Sequence, residues 1–260
     1  MITNLSEYIE DLMIPVEGGE FLMGSSKEDK GAYSFEKPQH KVLLSDFSIG
    51  KYPVTQELYE LVTNKTPSYF KGAKRPVERV SWYDAVEFCN ALSKKLEYDC
   101  YYNINKEEQE PESQRKWKVT TNKGANGFRL STEAEWEYTA RGGVHKSNYV
   151  YAGSAELDEV GWYDENSHKE SKEVGLKAPN ALGIYDMSGN VFEWCWDWFG
   201  SYDKAAKKPI GAKSGLNRVD RGGSWNYGFN YCRVAYRNFF KVPNYRYHFL
   251  GFRLTRAYTL

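Results

Sequence analysis

Apolar and polar residues alternate around Gly18-Gly19 in IPVEGGEFLMGS and again from Val42 to Ile49, a period of two that predicts short strands. Turns are expected at Gly50 and Pro53. From Thr55 the period lengthens. TQELYELVTN puts Leu58, Leu61 and Val62 on one face, which predicts a short amphipathic helix. A second helix is expected from Ser81, a good N-cap with Asp84 three residues on, and its buried stripe is Ala85, Phe88, Cys89 and Leu92. The clearest helix lies in LSTEAEWEYTARGG, with Thr132 as cap, Glu135 at the capping-box position and Gly142 closing it after Arg141. Between them, residues 97–126 are polar and charged. They read as a linker or, preferably, as a hairpin pairing Cys100–Ile104 with Trp117–Thr121 under a solvated KEEQEPESQ tip. Beyond residue 142 the periodicity fades into Gly-, Asn- and aromatic-rich segments. Few short helices, short irregular strands and long ordered loops make the expected class α+β.

A chain of 260 residues suits one large domain or two modest ones. Its 35 basic and 35 acidic residues cancel, so nothing at whole-chain level points to nucleic acid or an anionic membrane surface. No apolar run approaches the ~20 residues that span a bilayer. The N-terminus lacks the charge and apolar stretch of a secretory signal, which places the chain as given in the cytosol by default. A cell-surface location would need a leader or anchor that has been removed. Cys89, Cys100, Cys195 and Cys232 are scattered without a CxxC pair, and His40, His145, His168 and His248 are isolated, so a zinc or multi-histidine centre is not expected.

Two features invite chemistry. In DMSGNVFEWCWDW, Asp186 and Glu193 flank a turn-forming Ser188-Gly189-Asn190. With the carbonyls of Gly189 and Val191 they would give the oxygen-only coordination that calcium takes. The plainer alternative is that Asp186 caps the turn and Glu193 pairs with an arginine such as Arg221, and spacing alone favours it. Glu133, Glu135 and Glu137 suggest paired carboxylates, but residues two apart on a helix point away from each other, so capping and a solvated face are expected instead. Phosphate-binding glycine motifs are absent, and no Ser-His-Asp set can be argued.

The second feature is WNYGFNYCRVAYRNFFKVPNYRYHFLGFRL. From Trp225 to Leu250, ten of 26 residues are Trp, Tyr or Phe, with four Asn and three Arg among them. Trp225, Tyr227, Phe229 and Tyr231 alternate with Asn226, Gly228 and Asn230, and Tyr245, Tyr247 and Phe249 alternate likewise. Extended segments with one aromatic face each are expected. A buried face suits Phe, but each buried Tyr hydroxyl needs a partner. Tyr, Trp and Arg with Asn is instead the composition of contact surfaces.

GEFLMGS, PVERVSWYDAVEFCNALS, GFRLSTEAEWEYTARGG, GIYDMSGNVFEW, RGGSW and GFRL together resemble the formylglycine-generating enzyme (sulfatase-modifying factor) family, from about Ile14 to Leu254. The resemblance implies one domain over residues 14–254 with a variant of the C-type lectin fold, a lead-in over 1–13 and a tail over 255–260. It also implies a structural calcium ion at Asp186, Gly189, Val191 and Glu193. The enzymes of that family oxidise a sulfatase cysteine with a copper-binding cysteine pair shortly after the GGS turn. Here Tyr227 stands at the first place and Cys232 at the second, so no copper and no such catalysis is expected. The alternatives kept open are an oxidoreductase with an altered site and a protein-interaction scaffold module.

The segment is more closely similar to the variable region of proteins diversified by retroelements, in which template adenines are miscopied. Its frame would be Gly222–Trp225, Cys232–Ala235, Arg237, Pro243, Arg246 and Gly251–Leu254. Almost every residue between is reachable from an AAC or AAT codon, with Lys241 the departure. The resemblance implies a non-catalytic binding protein of bacterial type. Its exposed contact residues over 225–250 would be Tyr227, Phe229, Tyr231, Tyr236, Asn238, Phe239, Phe240, Tyr245, Tyr247, His248 and Phe249, and its partner a protein or cell-surface molecule.

Overall fold

Asn4 opens the first helix. Its side chain accepts from the backbone N–H groups of Ser6 and Glu7, and α1 (Leu5–Leu12) buries Ile9 and Leu12. The computed structural model, which describes residues 2–109, 117–202 and 211–257, thus places a packed helix where a lead-in was expected. The strands β1 (Met13–Val16), β2 (Gly19–Met23), β3 (His40–Leu44) and β4 (Phe47–Gly50) follow, then α2 (Gln56–Thr63) and α3 (Trp82–Lys95). Thr55 and Ser81 cap the two helices, the second with a full capping box. Leu58 and Val62 are buried as expected. Leu61 faces outward and Tyr59 takes its place in the core.

The polar stretch 97–126 is a hairpin of β5 (Tyr102–Gln109) and β6 (Trp117–Thr121), paired from Tyr102–Thr121 to Asn105–Lys118. Residues 110–114 of its expected tip lie outside the described residues. After β7 (Arg129–Leu130) comes α4 (Glu133–Ala140), capped by Thr132 and Glu135. The short α5 (Leu157–Val160) and a long ordered loop lead to β8 (Phe192–Trp198), β9 (Arg218–Arg221), β10 (Asn238–Lys241), β11 (Leu250–Phe252) and β12 (Leu254–Ala257).

Two four-stranded sheets carry the fold, in the orders β1-β4-β12-β7 and β10-β9-β8-β11. β12 occupies the segment expected to be a tail and pairs with both β4 and β7, so the two ends of the chain share one sheet. Burial follows the pattern: α2 and α3 pack with β8 and β11 around Trp82, Phe88, Trp194 and Phe252, while α4 covers Phe47, Ile49 and Val219.

Two expectations are corrected. Glu133, Glu135 and Glu137 are not on a solvated face, because α4 is buried on every side and each carboxylate meets an arginine. Nor are the alternating aromatic segments strands. Residues 225–231 form a turn running into a 3-10 turn (Phe229–Cys232), and 243–249 are turns; only β10 and β11 are extended. The Asn and Gly between the rings are turn-forming residues, and that chemistry outweighs the period of two.

A candidate contact surface

Each cation of the segment 233–253 is tied to an acid elsewhere in the chain. Arg233 makes a two-pronged pair with Glu36 (2.9 and 2.6 Å), and Arg237 does the same with Glu133 on α4. Lys241 Nζ donates to Asp220 Oδ2 on the neighbouring β9 at 2.8 Å. Arg246 grips Asp84 of α3 (2.7 and 2.8 Å), and Arg253 grips Glu193 of β8. All these pairs except Arg246–Asp84 are buried, so they are costly to break and fix where each loop crosses the scaffold. Backbone bonds from Arg79 to Tyr247 O and from Trp82 to Pro243 O (both 2.9 Å) complete the tether.

The rings stand between these anchors. Phe240 is 71% exposed and Phe229 50%, and Tyr247 is also exposed. Tyr227, Tyr231, Phe239, Tyr245 and His248 are half-buried. Three named contact residues are corrected. Tyr236 is buried edge-on beneath Tyr33, Phe35 and Tyr231, Phe249 is buried against Phe192 and Tyr227, and Asn238 donates to Asp220 Oδ2 at 2.9 Å in the interior. These residues support the surface from below. Lys241 belongs with them, its ammonium over the Phe192 and Phe249 rings. Burial pushes the Asp220 carboxyl up despite Lys241, and its Oδ1 is buried without a hydrogen-bond partner.

Composition counted only the C-terminal rings and missed two groups. Tyr33 and Phe35 reach Tyr236 and Phe239, and Tyr69 and Phe70 reach His248 and Trp225. With them, rings run unbroken from Phe240 through Phe35, Tyr236, Tyr227 and Tyr247 to Tyr69, at centroid steps of 4.3–5.9 Å. The only sequence signal was two further aromatic pairs, YSF and YF, in polar surroundings. Burial and the nearby Arg79 lower the pKa of His248.

Cys232 is fully buried in a small cluster with Leu157, Val160 and Tyr163, and burial pushes its thiol up, away from the thiolate a metal needs. Its sulfur would lie 2.5 Å from a side chain at Gly223, whose φ is +75°, so glycine there and cysteine here are a matched packing pair. Among the described residues, no three His, Cys, Asp or Glu side chains converge on a metal position.

The expected calcium donors do not fit as a free set. Both oxygens of Glu193 are taken, by Arg253 and by Trp136 Nε1, so Glu193 does pair with an arginine, but with Arg253 rather than the Arg221 offered as the example. Arg221 instead serves Glu137. Asp186, at φ +57°, accepts from Gly175 N–H and Asn190 Nδ2, and burial pushes its carboxyl up to about 6. Gly189 is held by its own packing, since a side chain would meet Trp162 O at 2.2 Å.

The fold and surface define a C-type-lectin-like α+β scaffold whose anchored loops carry an aromatic band. Residues 4–258 match the sulfatase-modifying factor enzyme 1-like domain, and the chain belongs to that family. It is 43% identical over 250 residues to the chaperone protein LppX of Paenibacillus barcinonensis, covering 88% of this chain and 83% of that one. The formylglycine-generating enzyme of Thermomonospora curvata is 28% identical, covering 86% and 87%. Among solved structures, Treponema denticola variable protein 1 superimposes with a TM-score of 0.84 at 36% identity over 94% of each chain. No described helix is long and apolar enough to cross a membrane.

Proposed function

We propose that this chain is a non-catalytic binding protein whose 225–250 loops form a contact surface diversified by a retroelement. The observation that carries the reading is the division of labour along the segment. Its cations, and Arg253 just beyond it, are anchored to the scaffold by Glu36, Glu133, Asp220, Asp84 and Glu193, while the rings between them, other than the buried Tyr236 and Phe249, are exposed or half-buried. Such a segment can exchange its rings without moving its path. Rigid Tyr and Phe rings give contact area at low entropic cost, which suits a protein or cell-surface partner. Deep sequencing of the locus from many cells tests it. Changes at template adenines are expected at Tyr227, Phe229, Tyr231, Phe239, Phe240, Tyr245, Tyr247 and His248, with none at Arg233, Arg237, Lys241 or Arg246; a uniform segment would sink the reading. Incubation with copper and a sulfatase-derived cysteine peptide is expected to give no oxidation, and turnover abolished by Cys232→Ala would restore the enzyme alternative.

A second reading follows from the identity with a chaperone protein. The same rings would grip exposed apolar segments of another chain. Suppressed aggregation of a denatured test protein, lost in Phe240→Ala, would favour it.

A further inference from the structure

We propose that the contact surface has a fixed flank, the arm of residues 64–78, and that Glu78 is the positioning residue that holds its rings in place. The proposal rests on the binding reading above and extends it to a part of the chain far from residues 225–250. Tyr69 is 64% exposed, among the most exposed rings of the protein, although it sits in an ordered loop. It stands 5.8 Å from the His248 ring, and Phe70 meets Trp225 edge-on at 5.2 Å. The two rings therefore continue the aromatic band onto sequence outside residues 225–250.

Nothing in this arm's own periodicity would hold it there, since it contains no helix or strand. Glu78 does so from beneath. It is fully buried, and its Oε1 accepts the backbone N–H groups of both Tyr69 and Phe70. Ser68 and Glu78 bond reciprocally through the serine hydroxyl. From the other side, Gln56 of α2 donates to Phe70 O at 2.7 Å and accepts from Gly72 N–H. Consecutive amides aimed at one carboxylate oxygen hold the backbone, and with it the two ring positions, rigidly. The other oxygen, Oε2, is buried without a hydrogen-bond partner. A scaffold without a purpose for this arm would place an apolar residue here, because an acid buried with one oxygen unmatched is costly. A fixed flank gives each variant of the surface the same aromatic edge to bind against, so diversification need supply only the remainder.

The test uses the full chain and the dye 1-anilinonaphthalene-8-sulfonate as a probe of exposed apolar surface. Dye affinity is expected to fall at least about threefold in both Tyr69→Ala and Phe240→Ala. It should stay unchanged in Leu43→Ala, on the outer face of the β2–β3 pair. A loss in Phe240→Ala without one in Tyr69→Ala would overturn the flank and leave the binding surface standing; a loss in neither would overturn both. Glu78→Ala is expected to match Tyr69→Ala in dye affinity and to shift Trp225 emission, while Glu78→Gln, which keeps the oxygen acceptor, restores both. Wild-type dye affinity in Glu78→Ala would overturn the positioning role. Should Glu78→Ala fail to fold, hydrogen exchange of the native chain decides. The amides of Tyr69 and Phe70 are expected to be protected, and exchange as fast as at Lys65 would count against Glu78.

Discussion

Lys241 shows how one side chain can belong to the scaffold while sitting in the middle of an exposed aromatic segment. Its ammonium neutralises Asp220 and covers Phe192 and Phe249, the floor on which Tyr227 and Tyr247 rest. Removing it would leave Asp220 buried with only Asn238 as a partner. Lys241→Met is therefore expected to lower unfolding stability by about 3–5 kcal/mol, the usual cost of an orphaned buried charge. Adding Asp220→Asn should recover at least half, both read as urea-denaturation midpoints; an unchanged midpoint in the single variant would mean that Asp220 is already neutral. The exception at Lys241 was visible in the sequence, because no first- or second-base change of an Asn codon produces lysine. Its partner was not, since Asp220 lies on the adjacent strand and pairing across a sheet leaves no local pattern. Asn238 misled for the same reason: its composition suits a contact surface, and only the register of β10 on β9 turns it inward.

At the scale of elements, α4 and the turn after Asp186 divide what was legible from what was not. The capping box at Thr132 and Glu135 is a local signal, and the structure places it as read. The burial of three glutamates on one eight-residue helix is not local: Arg129 stands only six residues before Glu135, but Arg221 and Arg237, which hold Glu137 and Glu133, come from far along the chain. Without those arginines a solvated face is the better reading of the same residues. For Glu193 the sequence favours an arginine partner without saying which, and the structure commits it to Arg253, 60 residues away. Arg253 supplies the positive charge that a cation would otherwise bring to Glu193. The midpoint of thermal unfolding is thus expected to be the same in EDTA and in millimolar calcium. A rise of several degrees with calcium would show that Arg253 yields Glu193 to the ion and that Asp186 completes its shell.

For the whole molecule, a formal charge of zero conceals two sets of carboxyl groups that titrate in opposite directions. Glu78 and Asp197 are pushed up to about 7, in both cases chiefly by burial and for Asp197 also by Glu133 nearby. In the other set, burial is outweighed. Glu135 is held below the usual range by Arg129, Glu137 by Arg141 and Arg221, and Asp84 by Arg246 and Ser81. The signs follow from which state binds more protons. Between the ordinary carboxyl value near 4 and about 7, the folded chain keeps the protons of Glu78 and Asp197 while the unfolded chain has lost them. Their contribution to stability is complete below about 4 and declines as pH rises through 7. For the lowered group the unfolded chain binds more protons, so its contribution is lost as pH falls below about 4. Stability should accordingly peak at about pH 4 to 5. Urea midpoints taken from pH 3 to 8 are expected to rise and then fall, and Glu78→Gln should flatten the decline above pH 5 while leaving the acid limb as it is. A midpoint that climbs steadily to pH 8 would mean that Glu78 and Asp197 are ionised in the folded chain, with water reaching the floor beneath the Tyr69 arm.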